Sequence, residues 1–173
     1  MMNIEHPPIA LQPPHHHMPI RFARLTDADP LRDRCWPNRT FMTVYSLLAR
    51  SVRNMTDARG LALVLTDAQD TPMAFGQYTV WPTCAEISDL VVAEPLRGQG
   101  LGTILIQELV YRARQQGITA FEIGAALDNP RALDLYRHLG FEDSHTLVLS
   151  LDRGREKVQF LRLDIVEADS REG

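Results

Sequence analysis

The chain has 173 residues, 45% apolar and 23% charged, which is enough for one domain with a buried core. Eighteen Lys+Arg against 22 Asp+Glu leave a net charge of −4, without the positive excess that nucleic acids and anionic membranes attract. Two cysteines (Cys35 and Cys84) are too few for a disulfide framework, no run nears the roughly 18 apolar residues of a membrane span, and no secretory signal is present, so a cytoplasmic protein is expected.

Residues 1–19 carry Pro7, Pro8, Pro13, Pro14 and Pro19 together with His6, His15, His16 and His17. Proline at this density removes backbone donors and opposes helix, so the segment reads as a flexible leader. Adjacent histidines on such a leader make a poor closed metal site, and no metal is expected. The domain begins at Ile20, where Ile20–Leu25 alternates as a half-buried strand. Thr26-Asp-Ala-Asp29 has the spacing of a helix N-cap, and Pro37 ends the helix it opens. A second helix follows over about 40–55, with Phe41, Val44, Tyr45, Leu48 and Val52 on one face.

Leu61–Thr66 and Met73–Trp81 form a hairpin about the turn at 68–72, and Ala85–Val92 is the next strand. A glycine-rich turn, Arg97-Gly-Gln-Gly-Leu-Gly102, leads into a helix with the stripe Leu101, Ile104, Leu105, Leu109 and Ala113, closed by Gly117. Phe121–Ala125 is a short strand. Pro130 opens a helix that Gly140 ends, and two strands, Thr146–Leu151 and Val158–Val166, flank the turn at 152–156. Residues 167–173 read as a polar tail. The fold class is therefore α/β, a mixed sheet in the order β-α-α-β-β-β-α-β-α-β-β, with a leader at 1–19 and a domain at 20–166.

A strand running into a glycine turn and then a helix can hold a phosphate. The first helical N–H groups lack partners, the dipole is positive there, and glycine lets an anion approach the backbone. The dinucleotide pattern G-x-G-x-x-G fails, because Thr103 stands where its last glycine belongs, and no Gly-Lys-Ser/Thr completes a P-loop.

Arg97-x-x-Gly100-x-Gly102, preceded by Ser88-Asp-Leu-Val-Val-Ala-Glu-Pro95, resembles motif A of the GNAT family of N-acetyltransferases. Thirty residues on, Asn129-Pro-Arg-Ala132-x-x-x-Tyr136-x-x-x-Gly140-Phe141 resembles motif B of the same family. The resemblance covers about 20–166 and implies acetyl transfer from acetyl-CoA to an amine by direct attack in a ternary complex. It implies that backbone N–H groups of Arg97, Gly98, Gln99, Gly100, Leu101, Gly102 and Thr103 hold the pyrophosphate of acetyl-CoA. Leu90, Val91 and Val92 would pair with the pantetheine arm, and an N–H near Val91 or Val92 would stabilise the oxyanion. Asn129 would bond the cofactor amides and Tyr136 would approach the sulfur.

An alkyl amine has a pKa of about 10.4 and must lose a proton before it attacks, while the departing thiolate is better protonated as it leaves. Tyr136 is the expected general acid. For the base, Glu86 matches the acidic strand of the histone acetyltransferase branch and comes first, and Asp89 comes second. On a regular strand these two residues point to opposite faces. Cys84 and Cys35 read as packing, since no neighbour in sequence activates either thiol. The acceptor, a small amine or a peptide, would be shaped by the first two helices and the last hairpin. Its identity stays open, as does pairing into a homodimer, which members often show. The alternatives are a non-catalytic acetyl-CoA sensor and an enzyme using another acyl-CoA donor.

Overall fold

The computed structural model describes residues 8–12, 17–151 and 153–166. Its elements run β1 (Ile20–Phe22), α1 (Ala28–Cys35), α2 (Phe41–Thr56), β2 (Gly60–Thr66), β3 (Pro72–Val80), β4 (Ala85–Val92), α3 (Leu101–Arg114), β5 (Ala120–Ala126), α4 (Pro130–His138), β6 (Glu142–Leu151) and β7 (Gly154–Asp164). Among the described residues the strands form one mixed sheet, β1-β2-β3-β4-β5-β7-β6, with only the β4–β5 pair parallel. The element order along the chain is the one expected from the sequence.

The sheet separates two cores. On one face α1 and α2 cover Ala62, Val64 and Phe75 with Leu31, Val44, Leu47 and Leu48. On the other, α3 and α4 cover Leu63, Leu65, Ala74 and Ile87 with Leu105, Leu109, Leu133 and Tyr136. Strands β2 and β3 are buried on both sides, which is why Leu61–Thr66 reads as a nearly continuous apolar run.

Several boundaries differ from expectation. The first strand ends at Phe22, because Asp27 rather than Thr26 organises the entry to α1: its carboxylate accepts the Arg24 N–H at 2.8 Å and pairs with Arg21 at 2.8 Å. Asp27 is 3% exposed, and the Arg21 guanidinium continues to Asp70 at 2.6 Å, tying β1 to the β2–β3 turn. The buried face of α2 is rotated to Val44, Leu47, Leu48 and Ser51; Tyr45 is only partly buried, stacked on Phe41 at 5.6 Å. The last hairpin is longer than expected, since β6 and β7 stay paired from Glu142↔Arg162 to Leu151↔Gly154.

The leader is not wholly independent of the domain. Ile9–Leu11 form a turn of 3-10 helix, a conformation that proline at position 8 does not oppose because it precedes the turn. Ala10 is 1% exposed, its N–H donates to Leu139 O at 3.1 Å, and Gln107 Nε2 donates to Ile9 O at 2.8 Å. Pro8 packs on Gly140, whose φ of +102° already favours glycine and whose missing Cβ leaves room for the proline ring. His15, His16 and the tail at 167–173 lie outside the described residues. Among the described residues no helix is long and apolar enough to cross a membrane.

Gly140→Ala adds both backbone strain and a clash with Pro8. It is expected to destabilise the fold by about 2 kcal/mol, a fall of several degrees in Tm by calorimetry, and to speed proteolysis ahead of Ile20.

Candidate active site

Strands β4 and β5 pair only from Ala85↔Phe121 to Ile87↔Ile123. Beyond Ile87, β4 stays with β3 as far as Val92↔Ala74, whereas β5 follows β7 to Ala126↔Val158. The two strands therefore diverge, and the β5-side backbone edge of Leu90, Val91 and Val92 is left without a strand partner. A cleft of about 600 Å³ opens there on the α3/α4 face.

The head of this cleft is the turn before α3. Gly98 and Gly100 have φ of +77° and +83°, left-handed values that only glycine adopts readily. The helix begins at Leu101 and its first turn closes when the Ile104 N–H donates to Gly100 O at 3.1 Å. The N–H groups of Leu101, Gly102 and Thr103 thus precede any intrahelical acceptor and face the opening. A Cβ on Gly100 would meet nothing within 4 Å, so the space beside it is open to a ligand. Arg97 Nε donates to Val92 O at 3.1 Å, which anchors its guanidinium at the mouth. Arg131 leans over the same turn, its Nη2 3.1 Å from where a Gly98 Cβ would stand. Two guanidinium groups, a helix N-terminus and glycine backbone together make an anion site, and the residues fit a pyrophosphate.

Leu90, Val91, Val92, Arg97, Gly98, Gly100, Leu101, Gly102, Thr103, Asn129 and Tyr136 all line the cleft. Gln99 does not; its Nε2 turns back to donate to Pro95 O at 3.3 Å. Asn129 lines it with a second duty, because its Oδ1 accepts the Ala132 N–H at 3.3 Å and caps α4. Its amide NH₂ makes no hydrogen bond among the described residues and is left for a ligand. Arg131 was not singled out by the sequence, although an arginine one residue beyond Pro130, in the first turn of α4, was a legible signal.

Tyr136 sits on α4 with 8% exposure, and its hydroxyl makes no hydrogen bond among the described residues. Burial pushes its phenol up to about 12, so it is neutral across the physiological range and keeps a proton to donate.

The carboxylates depart from expectation. The register passes from Gln77↔Ser88 to Phe75↔Val91, so Asp89 and Leu90 together oppose Gly76 in a β-bulge. Asp89 takes φ of +54°, a left-handed conformation that aspartate tolerates better than most residues. The extra residue reverses the alternation: Asp89 does not point away from Glu86 but shares the α2 face with Gln77. Its Oδ2 accepts from Gln77 Nε2 at 2.7 Å and from Ser88 Oγ at 3.2 Å. Behind it, Ser51 Oγ donates to Gln77 Oε1 at 2.7 Å.

Asp89 lines a second cleft of about 480 Å³ on this face, together with Thr43, Leu47 and Ala126. Glu86 lines neither cleft. It lies farther back on β4, in the part paired on both sides to Thr79 and Glu122, and accepts from Trp81 Nε1 at 2.9 Å. Cys35 and Cys84 are buried, and desolvation raises both thiols, Cys35 to about 11; neither lines either cleft, which agrees with packing roles.

The sequence profile described as the Acetyltransferase (GNAT) family matches residues 25–141. An N-acetyltransferase of Methanocaldococcus jannaschii is 33% identical over 63 residues, 36% of this chain and 28% of the relative. The L-methionine sulfoximine/L-methionine sulfone acetyltransferase of Pseudomonas aeruginosa is 33% identical over 87 residues, 47% of this chain and 51% of the relative. The matches thus span about half or less of these relatives' lengths. In fold, the ribosomal-protein-S18-alanine N-acetyltransferase of Escherichia coli superposes with a TM-score of 0.69 at 21% identity, over 91% of this chain and 99% of that one.

Gly100→Asp places a negative charge and a strained backbone where the anion site is open. Calorimetric titration with coenzyme A is expected to show affinity lowered by at least about 100-fold. Unchanged affinity would remove this turn from cofactor binding.

Proposed function

This chain belongs to the Acetyltransferase (GNAT) family, and on that premise we propose that it moves an acetyl group from acetyl-CoA to an amine by direct attack in a ternary complex. The observation that carries the reading is the gap between β4 and β5, with an anion-binding cleft beside it on one sheet face and a cleft floored by Asp89 on the other. Donor and acceptor can therefore enter from opposite sides and meet at the gap.

Acetyl-CoA supplies the thioester carbonyl that an amine attacks. Arg97, Arg131 and the N–H groups of Leu101, Gly102 and Thr103 hold its pyrophosphate, and the unpaired edge of Leu90–Val92 bonds the pantetheine arm. A backbone N–H at this edge, near Val91 or Val92, is placed to stabilise negative charge on the acyl oxygen. Asp89 takes the proton of the incoming ammonium, directly or through one water, so that the nitrogen lone pair is free to form the N–C bond. As the C–S bond breaks, Tyr136 gives its proton to the leaving sulfur. Its low exposure matters here: a phenol kept neutral is a donor throughout the working pH range.

Tyr136→Phe is expected to lower kcat by about 10²- to 10⁴-fold with little change in affinity for acetyl-CoA, checked by thiol release and calorimetry. An unchanged kcat would take Tyr136 out of the acid role. The same burial gives a linkage effect with a definite sign. Folded-state pKa is raised above the unfolded value of about 10, so this contribution is complete below pH 10 and is lost as pH rises towards 12. Tm of the native protein should fall over that interval more than that of Tyr136→Phe.

Asp89→Asn keeps the left-handed conformation and a hydrogen-bonding side chain but cannot accept the amine's proton. We expect kcat/KM at neutral pH to drop by about 10²-fold or more, with the deficit shrinking as pH approaches the pKa of the acceptor amine. A deficit independent of pH would argue for a structural role only.

A further inference from the structure

The second cleft is electrostatically lopsided. At its floor, the Asp89 carboxylate is held by Gln77 and Ser88, both neutral donors, and makes no ion pair among the described residues. On the α2 wall stands Arg50, which has no hydrogen bond or ion pair among the described residues. Beside it Arg39 lines the same cleft, its guanidinium carbon 4.8 Å from the centre of the Trp36 ring. On the opposite wall, from the β6–β7 hairpin, Arg153 is already engaged, pairing with Glu156 at 3.1 Å and Asp128 at 3.3 Å. One cavity of about 480 Å³ therefore presents the Asp89 carboxylate at its floor and the Arg50 guanidinium on its α2 wall.

Resting on the acyl-transfer reading, we propose that the acceptor is a small amino acid-like molecule whose amino group and carboxylate are both free and close together. Its ammonium faces Asp89 and the β4–β5 gap, while its carboxylate faces Arg50. Guanidinium suits a carboxylate because it offers paired N–H donors in a fixed fork, and both partners are charged. The arrangement also selects against competitors. A polyamine would set a second ammonium against Arg50, a like-charge contact. The N-terminus of a peptide carries an amide in place of the nearby carboxylate, and would leave that wall unmatched. The volume lies towards the lower end of the roughly 300–1,000 Å³ of small-molecule sites.

The test uses the full chain and acetyl-CoA, with thiol release followed for neutral α-amino acids, their carboxamides, a tetrapeptide and spermidine. The amino acids are expected to have kcat/KM at least about 10-fold above their carboxamides and above spermidine. Arg50→Gln is expected to raise KM for the acid about 10-fold with kcat little changed, and to bring the acid-to-amide ratio towards one. Arg50→Lys should restore part of that ratio, which a merely structural role for Arg50 would not produce. Preference for spermidine, the peptide or the carboxamides, or an acid-to-amide ratio that survives Arg50→Gln, overturns the proposed substrate class and leaves acyl transfer standing. Coenzyme A binding by calorimetry without acetylation of any amine overturns acyl transfer itself, and this inference with it.

Discussion

The single extra residue in β4 governs the rest of the site. Two residues, Asp89 and Leu90, must fit opposite one, Gly76, and the strand solves this by taking Asp89 through φ of +54°. A non-glycine residue there costs on the order of 1–3 kcal/mol. The surroundings offset the cost on both faces. Above, Gln77 and Ser88 hydrogen-bond the Asp89 carboxylate, and Ser51 of α2 holds Gln77 from behind. Below, Leu90 folds under α3 into space that exists only because residue 76 has no side chain: a Cβ there would lie 2.7 Å from Leu90 Cδ2 and 3.3 Å from Leu109 Cδ1. Bulge, glycine and buried polar chain form one unit, and altering one part moves the others.

That unit explains how a continuous sheet comes to have a hole beside its centre. Up to Ile87 the backbone of β4 is satisfied by β3 and β5 together; after it, β3 alone remains. Unpaired amides next to an apolar core are expensive unless water or a ligand reaches them, and the open cleft supplies that access. The same divergence makes the sheet a partition with a window. The cationic turn and Tyr136 belong to the α3/α4 side, and Asp89 belongs to the α2 side. The phenol and the carboxylate thus sit in different environments, Tyr136 desolvated and Asp89 held by polar hydrogen bonds.

What the sequence discloses follows the range of the interactions involved. The element order, the turn at Arg97–Gly102 and the N-terminus of α4 at Pro130 are written locally, in glycine, proline and a 3.6-residue stripe, and each stands where the sequence places it. The bulge has no such mark. Its left-handed residue is an aspartate, and its cause is the register of β4 on β3, a contact between segments more than ten residues apart, so counting alternation along an ideal strand sends Asp89 to the wrong face. The buried side of α2 is misjudged for a related reason. Ser51 is polar by type yet buried by its bond to Gln77, while Phe41 is apolar yet 38% exposed. One side of the second cleft draws on Arg39, Thr43, Leu47 and Arg50 and the other on Ser150, Leu151, Arg153 and Glu156, which no single motif spans.

The docked part of the leader shows how the outer wall of the α3/α4 cleft is held. Helix α4 has nine residues, of which only Leu133 and Tyr136 are buried, so its own packing fixes it weakly. Ile9–Leu11 brace its far end, with the Ala10 N–H on Leu139 O, Pro8 on Gly140, and Gln107 of α3 reaching across to Ile9 O. The end of α4 is thereby joined to the middle of α3, and Asn129 closes its start by capping. Tyr136 sits between these two fixed ends. Its position relative to Leu90–Val92 therefore depends on a segment more than a hundred residues away in sequence, and the glycine that ends α4 serves the leader as much as the helix.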